Sequence, residues 1–173
     1  VRADLGLAVT LRDITELKDK ENQLRELALT DPLTRLPNRR WMQSMLPKMV
    51  IDADKQQQSF AALFIDLDNF KMINDTLGHK AGDQFLIEVA HCLRSAVRKQ
   101  DDVLRRGGDE FMVLLHGMER RDTAREIAAH LLDKLGSIKS LQGMDGMRSR
   151  ASIGLAFYPD DAADADSLVQ AAD

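Results

Sequence analysis

Two adjacent glycines set between short apolar runs constrain this chain more than any other feature. Asp101-Asp102-Val103-Leu104 leads into Arg105-Arg106-Gly107-Gly108-Asp109-Glu110, and Phe111-Met112-Val113-Leu114-Leu115 follows. Glycine accepts the positive φ angles of a tight two-residue turn, so the Gly107-Gly108 pair predicts a β-hairpin. Asp109 and Glu110 stand directly after the predicted turn, and strand alternation sends them to opposite faces. At most one of them can then share the side from which a ligand would approach the turn backbone. A hairpin carrying two solvated acids satisfies the same pattern, so the hairpin alone does not decide between the two.

The other elements follow from periodicity. Phe60-Ala61-Ala62-Leu63-Phe64-Ile65-Asp66-Leu67 is a nearly continuous apolar run and reads as a buried central strand. Asn38 is a good cap for a helix to about Asp54, with Trp41, Met45, Leu46 and Met49 on its inner face and a kink expected at Pro47. A short helix is expected from Phe70 to Leu77. A longer one, from about Ala81 to Lys99, presents Phe85, Leu86, Val89, Leu93, Ala96 and Val97 inward. Another helix runs through Ala124, Ile127, Ala128, Leu131, Leu132 and Leu135. A loose stretch from Gly136 to Met147 then leads to a strand from Arg150 to Tyr158, and a last helix starts near Asp166. The order β-α-α-β-β-α-β calls for helices covering a sheet. Ahead of it, residues 4–12 alternate like a strand. Ile14, Leu17, Leu24 and Leu27 then fall at heptad steps, which suit either an amphipathic linker helix or a parallel coiled coil.

With 24 basic and 28 acidic residues the net charge is −4, so no basic field argues for nucleic acid. A polyphosphate partner would need a metal or local cations. The single cysteine, Cys92, excludes an internal disulfide and suits a reducing compartment, so a cytoplasmic domain is expected, although its parent could be tethered to a membrane. The chain opens on Val1 in mid-pattern and reads as a piece of something longer.

The chemistry gathers at three carboxylates. Asp66 and Asp68 end the buried strand, and Asp109 follows the glycines. If strand and hairpin are neighbours, Asp66 and Asp109 converge. Two carboxylates at one site repel unless a cation sits between them, and Mg²⁺ or Mn²⁺ suits oxygen ligands and phosphates. Strand alternation would keep Asp68 on the side of Asp66 if the strand continued. Lys71 lies at a helix N-terminus, a natural phosphate contact.

These stretches resemble the GGDEF domain of diguanylate cyclases. The resemblance rests on Phe64-Ile65-Asp66-Leu67-Asp68-Asn69-Phe70-Lys71-Met72-Ile73-Asn74-Asp75, on Gly78-His79-Lys80-Ala81-Gly82-Asp83 and on Gly107-Gly108-Asp109-Glu110-Phe111. Asp31-Pro32-Leu33-Thr34 and Ala151-Ser152-Ile153-Gly154 match further landmarks. It implies an α+β fold, a mostly antiparallel central sheet flanked by helices of the nucleotidyl-cyclase or polymerase-palm kind. It also implies a GGDEF domain over residues 29–173, preceded over 1–28 by the end of a PAS-like sensor and its signalling helix.

The family condenses two GTP into cyclic di-GMP across two facing domains, so a homodimer is expected. Carried over residue by residue, Asp66, Asp109 and the Leu67 carbonyl hold the metal. Asp109 is also the general base, and Glu110 supports the site. Asn69, Phe70 and Lys71 approach the phosphates beside Gly107 and Gly108, while Asn74 and Asp83 read guanine. A carboxylate suits guanine's two adjacent N–H donors, whereas a helix-start acid favoured by the dipole is the simpler account of Asp83. Arg98-Lys99-Gln100-Asp101 fits the family's RxxD inhibitory site, with Arg98 on a phosphate or base of the product and Asp101 accepting from guanine.

Two departures stand out. Arg35 occupies a usual glycine position, and the chain stops at Asp173, before the family's segment that supplies a lysine and an arginine to the triphosphate. The expected activity is a cyclase with product inhibition. The alternative is a GTP-binding regulatory module with little turnover, joined to an EAL phosphodiesterase domain.

Overall fold

The computed structural model of the chain describes residues 27–138 and 150–173. The expected strand over 4–12, the heptad steps from Ile14 to Leu24 and nearly all of the sensor segment lie outside the described residues, as does most of the stretch from Gly136 to Met147. The elements are α1 (Arg39–Gln56), β1 (Phe60–Leu67), α2 (Phe70–Leu77), α3 (His79–Ala96), β2 (Asp102–Gly107), β3 (Glu110–His116), α4 (Arg121–Gly136), β4 (Ala151–Tyr158) and α5 (Ala165–Ala172). The strands form one sheet in the order β2-β3-β1-β4, with every neighbouring pair antiparallel.

β1 is central and covered on both faces, which is why its sequence reads as a continuous apolar run; within it only Asp66 is exposed. Ala61, Leu63, Ile65 and Leu67 pack with Phe85, Val89 and Leu93 of α3 and with Leu131 and Leu135 of α4. Phe60, Ala62 and Phe64 pack on the other face with Met42, Leu46 and Val50 of α1 and with Leu168 and Ala172 of α5. Glycine at 154, the register partner of Phe64, allows α5 to lie on the sheet, because a Cβ there would meet the Ala172 carbonyl oxygen at 1.8 Å. Asp164 starts α5 with a capping box: it accepts from the Ser167 amide at 2.8 Å, and the Ser167 hydroxyl accepts in return from the Asp164 amide.

Three helix expectations shift. The buried stripe of α1 is Met42, Leu46, Val50 and Ala53, one position on from the expected one, and Trp41, Met45 and Met49 flank it half-buried. α3 starts at His79, because Gly78 (φ +84°) turns the chain directly out of α2, and ends at Ala96, where Val97 is extended; both ends come earlier than expected. Leu132, expected inside α4, is exposed; the inward stripe there is Ala124, Leu131 and Leu135. Asn38 caps α1 as expected, its side chain accepting from the Arg40 and Trp41 amides at 2.9 and 3.1 Å.

Arg35, where glycine was expected, adopts φ +61° in the loop before α1. The loop closes regardless, through Asp31 N to the Leu36 carbonyl (2.7 Å) and Arg35 N to the Asp31 carbonyl (2.9 Å). A left-handed conformation penalises a side-chain-bearing residue by about 1–2 kcal/mol, partly offset by glycine's larger freedom when unfolded. Arg35→Gly is therefore expected to stabilise the domain by about 0.5–1 kcal/mol. Urea denaturation checks this, and a loss of stability would show that the arginine side chain matters more than its backbone.

At the far end of the hairpin, His116 and Asp102 face each other with Nε2 and Oδ2 2.9 Å apart. That hydrogen bond raises the imidazole above its ordinary value of 6.5; burial works against it, and the Asp102 and Asp101 charges add to it. A raised folded value means the stabilisation is fully present below 6.5 and is lost as pH rises through the folded value. Stability is expected to fall across that window, and His116→Gln should flatten the fall. An unchanged pH profile in the variant would place the titration elsewhere.

Candidate active site

The hairpin turn sits one residue later than its sequence suggests. Gly107 pairs with Glu110, so the two loop residues are Gly108 and Asp109, and β3 begins at Glu110. Positive φ is needed only at Gly108 (+55°) within the loop, which suits the primed turn that takes glycine first. The register slips between Arg105 and Gly107, leaving Arg106 as a bulged residue with its guanidinium 4.8 Å from the Phe64 ring centroid. Asp109 thus stands on the turn itself rather than on a strand face.

An arginine clasps this turn to a distant loop. Arg105 donates from Nε and its second terminal nitrogen to the Gly108 carbonyl (3.1 and 2.8 Å), and from the first to the Asp31 carboxylate (2.9 Å). Asp31 also accepts from the Thr34 amide and hydroxyl at 2.8 and 2.7 Å. Burial works against its charge, but the hydrogen bonds from Thr34 and Arg105 hold the carboxyl below the ordinary value. Sequence reasoning assigned neither residue a role. Asp-Pro-Leu-Thr carries a local signal, since aspartate bonds readily to its own backbone a few residues on. Nothing local signals that Arg105 reaches back to it.

Antiparallel register places Asp66 directly across from Glu110 on one side and Ser152 on the other. The Leu67 amide donates to the Asp109 carbonyl at 3.3 Å, so the end of β1 adjoins the turn. The Asp66 carboxyl is raised by partial burial first, then by the charges of Asp109, Asp68 and Asp173. Asp68 lies beyond the last residue of β1, yet it stays on this side by accepting from the Ser152 hydroxyl at 3.0 Å. Arg106 faces both Glu110 and Asp173 at 3.8 Å, and its Nε and one terminal nitrogen are buried without a hydrogen bond. Among the described residues no three acidic, histidine or cysteine side chains form a ready-made metal cage. A site of two carboxylates and a backbone carbonyl is nevertheless the donor set a hard divalent cation takes when phosphate and water complete its shell. Three of the four causes that raise Asp66 are neighbouring carboxylates, whose mutual repulsion a cation would lessen.

α2 opens on Asn69 in the left-handed region (φ +61°), exposed and with no side-chain cap bond. The first amides of a helix lack acceptors within it, so this end favours an anion, with the Lys71 side chain exposed beside it. Phe70 is buried and stacks on Phe85 at 6.4 Å, which leaves only its backbone for a ligand. Asn74 is half-buried on α2, and Asp83 is exposed on α3. Because α3 starts at His79, Asp83 is its fifth residue, and the first turn carries no acid. The helix dipole fades within the first turn and does not account for Asp83.

The expected inhibitory pair divides. Arg98 is exposed, while Asp101 is only 2% exposed. The two Asp101 carboxylate oxygens accept from the Arg98 amide (3.0 Å) and the His116 amide (3.1 Å). Arg94 adds hydrogen bonds to the carbonyls of Arg98 and Asp101. Asp101 therefore organises the turn, and Arg98 faces the groove shared with Glu126 and His130 of α4.

The family model for the diguanylate cyclase GGDEF domain matches residues 28–173. The bifunctional diguanylate cyclase/cyclic di-GMP phosphodiesterase MucR of Pseudomonas aeruginosa is 42% identical over 147 residues, covering 85% of this chain and 21% of MucR. The cyclic di-GMP phosphodiesterase PdeR of Escherichia coli is 34% identical over 161 residues, covering 93% of this chain and 24% of PdeR. The chain thus spans less than a quarter of the length of either relative. The solved GGDEF domain of TpbB from Pseudomonas aeruginosa superposes with a TM-score of 0.76 at 39% identity, covering 83% of each chain. Its sheet, its motif-bearing hairpin and these matches place the chain in the GGDEF family of diguanylate cyclase domains.

Proposed function

We propose that this domain condenses two GTP into cyclic di-GMP, one GTP on each of two facing copies. The observation that carries the reading is the adjacency of Asp66, at the end of the central strand, to the clasped turn that bears Asp109, where the Leu67 amide donates to the Asp109 carbonyl. Asp66, Asp109 and the Leu67 carbonyl would hold Mg²⁺ or Mn²⁺. Such an ion, when bound, neutralises phosphate charge and eases ionisation of the attacking hydroxyl. Asp109, on the turn rather than in a strand, is free to take the proton of the 3′-hydroxyl. Glu110, across from Asp66, supports the acidic centre. The backbone at Asn69 and Phe70, the Lys71 side chain and the open backbone of Gly107 and Gly108 would receive the phosphates.

Asn74 and Asp83 would read the base. Asp83→Ala is expected to weaken GTP binding by about 1–3 kcal/mol, the range for leaving polar groups unpaired, and ATP binding much less. Equal losses for the two nucleotides in side-by-side titrations would deny Asp83 any part in base reading.

Product would bind at Arg98, with Asp101 acting through the turn that it holds. A PAS-like sensor ahead of the domain, an EAL domain beyond it and a cytoplasmic setting belong to the same proposal. Among the described residues no helix is long and apolar enough to cross a membrane. The second reading, a GTP-binding module that regulates an attached phosphodiesterase, draws on the name of PdeR. Presence of both Asp109 and Glu110 favours turnover. Incubating the full-length parent with GTP and Mg²⁺ and assaying cyclic di-GMP tests the choice. Product supports the cyclase; tight GTP binding without product supports the regulatory module.

A further inference from the structure

Gly78, a single residue with φ +84°, separates α2 from α3, so the two helices double back on each other. The junction is pinned by the Gly78 amide donating to the Asn74 carbonyl at 2.9 Å. Gly82, one turn into α3, is buried against α2. A Cβ at Gly82 would lie 2.0 Å from Asn74 Oδ1, 2.9 Å from its Cγ and 3.3 Å from Phe70 Cζ. The Asn74 carboxamide therefore occupies the volume that any other residue at 82 would claim.

Glycine inside a helix costs about 1 kcal/mol against alanine, so its place here calls for a reason. Of the groups around it, α3 is fixed by Phe85 and Leu86 in the core, and the Phe70 ring is held by its stack on Phe85. The carboxamide is the part that can move. We infer that Gly82 is a positioning residue for base selection, holding open the space that aims Asn74. The inference rests on the reading of Asn74 as a guanine contact. It predicts a narrow defect, because Asp83, exposed beside Gly82, and the acidic centre on the hairpin are untouched by a methyl group at position 82.

The test compares Gly82→Ala, Asn74→Ala and the double variant by titration with GTP and with ATP in the presence of Mg²⁺, alongside thermal unfolding. Gly82→Ala is expected to weaken GTP binding about tenfold, roughly one hydrogen bond's worth, and to change ATP binding by less than about twofold. Asn74→Ala should do the same, and the double variant should bind GTP no worse than either single one, since Gly82 acts through Asn74. The unfolding midpoint lost in Gly82→Ala should return in the double variant, where truncation of Asn74 leaves room for the new Cβ. That recovery also serves if Gly82→Ala alone fails to fold.

A double variant that fails too, additive losses, or equal losses for GTP and ATP would make Gly82 a packing residue and overturn the inference. So would unaltered GTP binding in Gly82→Ala when Asn74→Ala weakens it; that result leaves the substrate reading standing. If Asn74→Ala binds GTP as the unaltered chain does, Asn74 reads no base, and the base-reading assignment falls together with the inference.

Discussion

Asp109→Ala is expected to give a folded domain that has lost turnover by about a hundredfold or more, the scale of removing a group that holds charge at a reacting centre. The side chain sits on a two-residue turn outside both apolar clusters, so its loss opens no cavity. Stability should even rise slightly at neutral pH. A carboxyl raised in the folded state takes stability away as pH rises through its folded value, and Asp109 is the second cause of the rise at Asp66, after burial. Without Asp109, the Asp66 carboxyl should titrate closer to the ordinary aspartate value of 3.8. Cyclic di-GMP formation and an NMR titration of Asp66 check the two halves separately. Activity near that of the unaltered chain would remove Asp109 from the chemistry, and an unmoved Asp66 would show that the two acids do not meet.

Arg105→Ala should have the largest effect on the fold among the polar residues near the site. Its guanidinium, with a side chain only 10% exposed, ties the Gly108 carbonyl to Asp31, whose own side chain is 17% exposed. Breaking a largely buried pair strands the remaining partner, here an acid still held by Thr34, and about 2–4 kcal/mol of stability is expected to go. Turnover should fall further than unfolding explains, because the turn carrying Asp109 loses the donors on its carbonyl. Lysine cannot reproduce the forked donation, so Arg105→Lys should restore little. Urea denaturation of both variants, with activity measured where they remain folded, checks this. A loss below about 1 kcal/mol would show that the clasp contributes no more than an exposed ion pair.

The sheet was legible because its signals are local. The apolar run from Phe60 to Leu67 read as a central strand, and the glycines marked a hairpin between two strands, though only Gly108 lies in its loop. What escaped was placement to the nearest residue. A bulge at Arg106 moved the turn forward by one, and this decides whether Asp109 belongs to a strand face or to a loop. Helix faces drifted for a related reason. The face of α1 is set by the sheet beneath it, and the half-buried ring of Trp41 lies beside the true stripe rather than on it. Asp66 and Asp109 stood out from the strand and hairpin pattern, whereas Asn74 and Asp83 were proposed only through motif resemblance. The Asp31–Arg105 clasp joins positions 74 apart, and no periodicity reports such a pair. Asp101 shows the converse: its spacing to Arg98 suggested a ligand acceptor, yet both its oxygens serve the backbone.

The position of β1 in the sheet also bears on how the domain folds. β2 and β3 are neighbours in sequence and can zip up early, whereas β1 must find β3 some fifty residues away, and β4 must then find β1 across about ninety. The acidic centre exists only once β1 has closed on β3. The side-chain repeat of a strand is two, so a slip of β1 by one residue would turn Asp66 into the apolar layer of α3 and α4 and push Ile65 out. Such a slip carries the burial of a charge as its penalty. Asp66, proposed to hold the metal, thus also proofreads the register of the strand that carries it.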